Sequence, residues 1–164
     1  MSNKQIIGFD ADDTLWENEV FFHQAQIKFI ELHPHIKDPE EVLFQIEKEN
    51  IKFYGYGIKG FILSLLEASV RFSNNQPNFQ NIDKIIKIGK DMLTQTIQLL
   101  PEVEETLRHL SEHYILIMIT KGDLLDQQRK VEKSGLLKYF SSIEIVSEKD
   151  ERTYLKILQK NNIF

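Results

Sequence analysis

The sequence predicts an α/β protein in which a parallel sheet is interrupted, after its first strand, by a block of helices. Three short apolar runs carry the sheet: Ile6-Ile7-Gly8-Phe9, Tyr114-Ile115-Leu116-Ile117-Met118-Ile119-Thr120 and Ile143-Glu144-Ile145-Val146. Runs of this length, bounded by polar or turn residues, read as strands of a sheet covered on both faces. Helical patterns alternate with the last two runs, which implies right-handed parallel crossovers. Between the first two runs lie four amphipathic helical stretches, enough for a small bundle.

The helical block opens with Val20 to Leu32, where Phe21, Ala25, Phe29 and Leu32 fall at helical spacing and Pro34 closes the element. Pro39 opens a second helix through Val42, Leu43 and Ile46, with Glu40 and Glu41 placed to suit its positive N-terminal end. Gly55, Gly57 and Gly60 punctuate a turn before a third helix from about Phe61 to Phe72. Polar Ser73-Asn74-Asn75-Gln76-Pro77-Asn78 reads as a loop, and a fourth helix spans roughly Ile82 to Leu99. Phe21, Phe22, Phe29 and Phe44 read as the core of this block. The α/β pattern then begins. A helix from Pro101 to His113 presents Val103, Leu107 and Leu110 on one face, and the second strand follows. Leu124 to Lys133 is helical with Gly135 as its C-terminal cap, the third strand comes next, and Thr153 to Lys160 begins a last helix. The reading is a Rossmann-like core of residues 1–16 and 99–164 with an inserted helical cap, 17–98.

Composition bounds the function. The 164 residues suffice for one good core, or a modest core with an appended subdomain. Apolar content of 41% and charged content of 27% are those of a soluble globular chain. A net charge of −5 without a basic block gives nucleic acid no obvious footing. No apolar run approaches a membrane span, and Met1-Ser2-Asn3-Lys4-Gln5 leads straight into the first strand without a signal peptide. Zero cysteine excludes disulfides, a thiol nucleophile and thiolate metal sites, and fits a cytoplasmic protein.

Chemistry concentrates where the first strand ends, in Asp10-Ala11-Asp12-Asp13-Thr14. Parallel sheets place their chemistry at the carboxyl ends of strands. Acids crowded there repel one another, and burial penalises each charge, so a cation or a reaction that uses them is the natural explanation. Asp10 and Asp12 are two apart and can point into one site, where one carboxylate attacks an electrophile and the other moves a proton. The structural alternative is a polar turn in which Asp13-Thr14 caps a helix.

Asp10-Ala11-Asp12-Asp13-Thr14 resembles the first motif of the haloacid dehalogenase-like (HAD) hydrolase superfamily, Asp-x-Asp-x-Thr after an apolar strand; Asp13 stands where that motif often has Gly. Tyr114 to Thr120 is similar to the second motif, a strand ending in Thr or Ser, and Ile143 to Lys149 to the third, a strand followed by Lys. The resemblance covers nearly the whole chain, although the middle matches only in helical character. It implies a phosphatase with a helical cap between the first two motifs. Asp10 is then the nucleophile that forms an aspartyl phosphate, and Asp12 the acid for the leaving alcohol and later the base for water. Thr14 holds Asp12, Thr120 binds a phosphate oxygen with help from the N–H of Lys121, and Lys149 neutralises the phosphate and Asp10.

The implied cofactor is Mg²⁺, held by the Asp10 carboxylate and the Asp12 main-chain carbonyl. The family's fourth motif, an acidic pair after a further strand, has no counterpart before Asn161-Asn162-Ile163-Phe164. That departure predicts a truncated sheet with Ile6 to Phe9 as an uncovered edge, open to pairing in a homodimer. It also predicts weak Mg²⁺ binding. The implied substrate is a small phosphorylated metabolite, with a nucleoside monophosphate among the candidates. Trp16, just past the first motif, and Lys59, in the Gly-rich loop of the cap, are candidate substrate contacts; their plain readings are core packing and a helix–helix turn. His109 and His113 have a spacing zinc can use, but no third ligand is evident, and they read as solvent-facing. Two rivals stand beside the phosphatase: a catalytically silent phosphate-binding or interaction module, and a 2-haloacid dehalogenase. Asp12 disfavours the dehalogenase, because halide needs no proton to leave.

Overall fold

A computed structural model describes residues 4–73, 76 and 78–161. Part of the polar loop near residue 75 and the last three residues lie outside them. The chain divides into two compact units, one of Met1–Asn18 with Thr96–Phe164 and one of Glu19–Gln95.

The first unit is the α/β one. Strands β1 (Ile6–Phe9), β2 (Ile115–Lys121) and β3 (Ser142–Val146) form a parallel sheet in the order β1-β2-β3. Ile6 pairs with Ile115 and Phe9 with Met118; Ile117 pairs with Ser142 and Lys121 with Val146. All three strands therefore end on the same side. Among the described residues β1 pairs with β2 alone. Helices α5 (Val103–His113), α6 (Leu124–Ser134) and α7 (Glu151–Lys160) belong to this unit. Its core gathers Ala11, Leu15, Trp16, Leu107, Leu116, Met118, Val131 and Leu136. Asp123 caps α6, its Oδ1 accepting from the Asp126 N–H, and Gly135 ends the helix at φ 71°. Asp150 caps α7 in the same way through the Thr153 N–H, so α7 starts two residues before the periodicity places it.

The second unit is a bundle of α1 (Glu19–Glu31), α2 (Pro39–Tyr54), α3 (Ile58–Phe72) and α4 (Phe79–Thr94). Phe29, Leu43, Ile46, Leu65 and Ile85 are among its fully buried side chains. Three expectations are corrected here. Gly60 is not part of the turn; it lies in the first turn of α3, where a Cβ would come within 2.7 Å of the Gly55 carbonyl oxygen. The turn itself is completed by Gly55 and Gly57, both at positive φ. Helix α4 begins earlier, because the Asn78 side chain accepts from the Gln80 N–H, and it ends at Thr94, well before Leu99. Phe44 is 56% exposed: the buried face of α2 runs through Leu43, Ile46 and Asn50, and Phe44 falls about 100° round from Leu43. Among the described residues no helix is long and apolar enough to cross a membrane.

Candidate active site

Residues 10–18 fold back in a single tight turn after β1. The N–H groups of Thr14 and Leu15 both donate to the Ala11 carbonyl, and Asp13, at φ 55°, donates its N–H to the Trp16 carbonyl. Ala11 and Leu15 go into the core, and Trp16 bridges to Leu99. The turn leaves Asp10 directly beyond the end of β1 with its side chain 49% exposed. Asp10 Oδ1 accepts the Ala11 N–H at 2.7 Å and Lys149 Nζ at 2.5 Å. Lys149 arrives three residues past β3, so the sheet register brings together two groups 139 positions apart. Thr120, the second-last residue of β2 and paired with Ile145, is 1% exposed, and among the described residues its Oγ1 has no hydrogen-bond partner. Lys121 Nζ stands 3.5 Å from Glu148 Oε2.

Asp12 is held by three donors. Trp16 Nε1–H donates to Oδ1 at 2.7 Å, Gln127 Nε2–H to Oδ2 at 2.7 Å, and Lys130 Nζ lies 3.0 Å from Oδ1 and 3.2 Å from Oδ2. Lys130 also donates to Asn18 Oδ1 at 2.7 Å and stands 3.8 Å from Asp126 Oδ2. Asp126 is itself buried. Burial pushes its carboxyl above the ordinary range; the Lys130 charge pulls it back, the Asp12 charge raises it again, and Arg129 lowers it.

This arrangement revises several assignments. Thr14 is exposed, and the holding of Asp12 falls to Trp16, Gln127 and Lys130. Trp16 is fully buried, so it offers its indole N–H to Asp12 and no surface to a ligand. Lys59 is exposed in the first turn of α3, in the helical unit. His109 and His113 are exposed as expected, but a third group does stand with them: the ligand atoms of His109, Glu112 and His113 lie within 4.8 Å of one another. Arg108 Nη1 is 3.7 Å from that Glu112 carboxylate. Gln127 and Lys130 were not singled out by sequence reasoning. The available signal was the position of Gln127 four residues before Val131, which places an amide on the apolar face of α6.

The Asp10 site suits a hard cation. Both of its contacts fall on Oδ1, and among the described residues Oδ2 of this half-exposed carboxylate accepts no hydrogen bond. Oxygen donors of this kind, few in number, match a Mg²⁺ that keeps most of its waters.

Comparison with known proteins gives the family and the fold. Residues 4–162 match the haloacid dehalogenase-like hydrolase family. A haloacid dehalogenase-like family hydrolase from Xanthomonas campestris is 34% identical over 99% of this chain and 70% of its own, with a TM-score of 0.92. A HAD hydrolase from Bacillus subtilis, bound to magnesium, is 14% identical over 96% and 72% with a TM-score of 0.63. A 2-haloacid dehalogenase from Pseudomonas syringae pv. tomato is 18% identical over 97% and 73%, also at 0.63. No curated protein sequence matches the chain. The last two relatives share the fold only, whereas the first combines fold with substantial identity and the family match runs through nearly every residue, so this chain belongs to the haloacid dehalogenase-like hydrolase family.

Proposed function

We propose that this hydrolase is a Mg²⁺-dependent phosphatase acting on a small phosphomonoester through an aspartyl phosphate on Asp10. The observation that carries the reading is the contact of Lys149 with the half-exposed Asp10 carboxylate at the carboxyl ends of the strands. A carboxylate and an incoming phosphate repel each other, and a fixed ammonium between them offsets that repulsion. The Asp10 carboxylate and the Asp12 main-chain carbonyl would hold Mg²⁺, which supplies further charge neutralisation.

In the first step an Asp10 oxygen attacks phosphorus and the ester P–O bond breaks. Asp12 delivers its proton to the departing alkoxide, so an alcohol leaves. In the second step Asp12 takes a proton from water, the resulting hydroxide attacks the same phosphorus, and the acyl phosphate bond breaks. Asp10 is regenerated and inorganic phosphate departs. The Thr120 hydroxyl, buried and without a partner among the described residues, supports a role as donor to a phosphate oxygen. The presence of an acid at position 12 favours ester hydrolysis over carbon–halogen cleavage, in which the halide leaves unprotonated. A nucleoside monophosphate is one substrate of suitable chemistry.

Hydrolysis of p-nitrophenyl phosphate with and without Mg²⁺, in wild type and Asp10→Asn, tests the reading. Metal-dependent turnover that vanishes in the variant supports it. Halide release from 2-chloropropionate without phosphatase activity would move the assignment to dehalogenation, and no turnover of either would favour a silent phosphate-binding module.

A further inference from the structure

We infer that Lys130 and Gln127, on α6, are positioning residues that aim Asp12 for proton transfer. The inference rests on the phosphatase reading for its kinetic part and on geometry alone for its structural part.

Asp12 lies within the tight turn after β1, outside any helix or strand. Its three donors come from well-anchored places. Trp16 is locked in the core four residues on, while Gln127 and Lys130 stand on a helix capped at both ends. Lys130 is itself held, with a side chain only 12% exposed and a second bond to Asn18 Oδ1. A surface lysine on a flexible stem would contribute little to orientation. This one has lost most of its freedom to solvent, so it can define where a carboxylate sits.

Gln127 strengthens the case through what it leaves undone. Its Nε2 faces two acceptors, Asp12 Oδ2 at 2.7 Å and the Lys121 carbonyl at 3.3 Å. Rotating the amide would turn its oxygen against both, so the orientation is fixed by its neighbours. Among the described residues Gln127 Oε1 is then buried with no partner. A buried unpartnered carbonyl is destabilising, and the side chain keeps this orientation for the contacts of its Nε2.

The two Asp12 oxygens are also unequal. Oδ1 accepts from Trp16 and takes the shorter Lys130 contact, whereas Oδ2 accepts from Gln127 and takes the longer one. Each oxygen thus receives two donors for its two lone pairs, so the carboxylate is held at both ends.

The chain has a single tryptophan, so its indole N–H gives one signal in a nitrogen–proton correlation spectrum and reports the Asp12 contact without any substrate. Spectra would be compared for wild type, Lys130→Met and Lys130→Arg. Alongside, kcat/KM would be measured on an alkyl phosphate, whose leaving group needs a proton, and on p-nitrophenyl phosphate, whose leaving group does not. In Lys130→Met the indole signal moves and exchanges faster with water. The alkyl ester loses about 100-fold, the lower range for a general acid, while the aryl ester loses far less. Lys130→Arg retains the signal and most of the rate. An indole signal unmoved in Lys130→Met, or equal losses on the two esters, would overturn the inference. If Lys130→Met does not fold, Gln127→Met takes the same two readouts. If the wild type hydrolyses neither ester, the phosphatase reading fails by itself, and the indole signal still decides whether Lys130 places Asp12.

Discussion

Gly122 and Gln127 are packed so closely that a Cβ on Gly122 would lie 2.9 Å from Gln127 Nε2, the atom that donates to Asp12. Gly122 also sits at φ 150°, where a side chain is strained. The turn from β2 into α6 is thus built around the amide that holds Asp12. Gly122→Ala is expected to lower stability by about 1–3 kcal/mol and to displace Gln127 from Asp12. Urea unfolding reads the first effect; the Trp16 indole signal reads the second.

Thr120 offers a separation of stability from activity. Its buried hydroxyl has no partner, so Thr120→Val replaces an unsatisfied polar group with a methyl of similar size. The variant is expected to be more stable by about 1 kcal/mol in thermal or urea unfolding. Its KM for a phosphomonoester rises and its affinity for inorganic phosphate falls. A variant that binds phosphate as wild type does would remove Thr120 from the site.

Glu47 carries a pH dependence in the helical unit. Burial raises its carboxyl above the ordinary range, the Gln26 amide lowers it and the Glu19 charge raises it again. The folded-state value lies above the unfolded one, so the folded state holds the proton more tightly. Ionised Glu47 therefore weakens the fold at neutral pH, and the penalty fades as pH falls through the raised value toward the ordinary one. Glu47→Gln is expected to raise Tm at pH 7 and to make no difference once both states of the wild type are protonated. Calorimetry across that range checks it.

Gly89 sets the approach of α4 to α3. A Cβ there would stand 2.7 Å from Ile62 Cγ1, a methylene next to the branch point rather than the free end of the side chain. Overpacking costs about 1–3 kcal/mol and helix propensity returns about 1 kcal/mol, so Gly89→Ala is expected to be destabilising on balance. Gly89→Ala with Ile62→Val recovers part of the loss, which a double-mutant cycle measures.

Much of the fold was legible because its signals are local. Apolar runs marked the three strands to within a residue or two, Gly135 marked the end of α6, and Pro39 with Glu40 and Glu41 marked the start of α2. Where the signal was a competition between local patterns, the reading drifted. Apolar Ile97 and Leu99 extended α4 on paper, but Leu99 is claimed by a bridge to Trp16 and the helix stops at Thr94. On α6, Leu124 and Leu125 look like core and are exposed, while Asp126 and Gln127 are buried. Burial there follows the bonds that Gln127 and Lys130 make to Asp12, and a pattern of apolar residues cannot register them.

By itself the sequence determined the class of the fold and pointed to the candidate site. A strand that ends in Asp10-Ala11-Asp12 states its polarity and its functional end in consecutive residues, because backbone and side chain are set by the same few positions. The resemblance implied Lys149 beside Asp10, and only the tertiary structure decided that Gln127 and Lys130 meet Asp12. Lys149 reaches Asp10 across 139 positions, and Gln127 and Lys130 reach Asp12 across 115 and 118. Parallel pairing of β1 with β2 and of β2 with β3 makes these distant segments neighbours. The physical reason is that contact across a sheet depends on register and crossover, which arise from the packing of the whole unit and leave no mark in the spacing of any one segment.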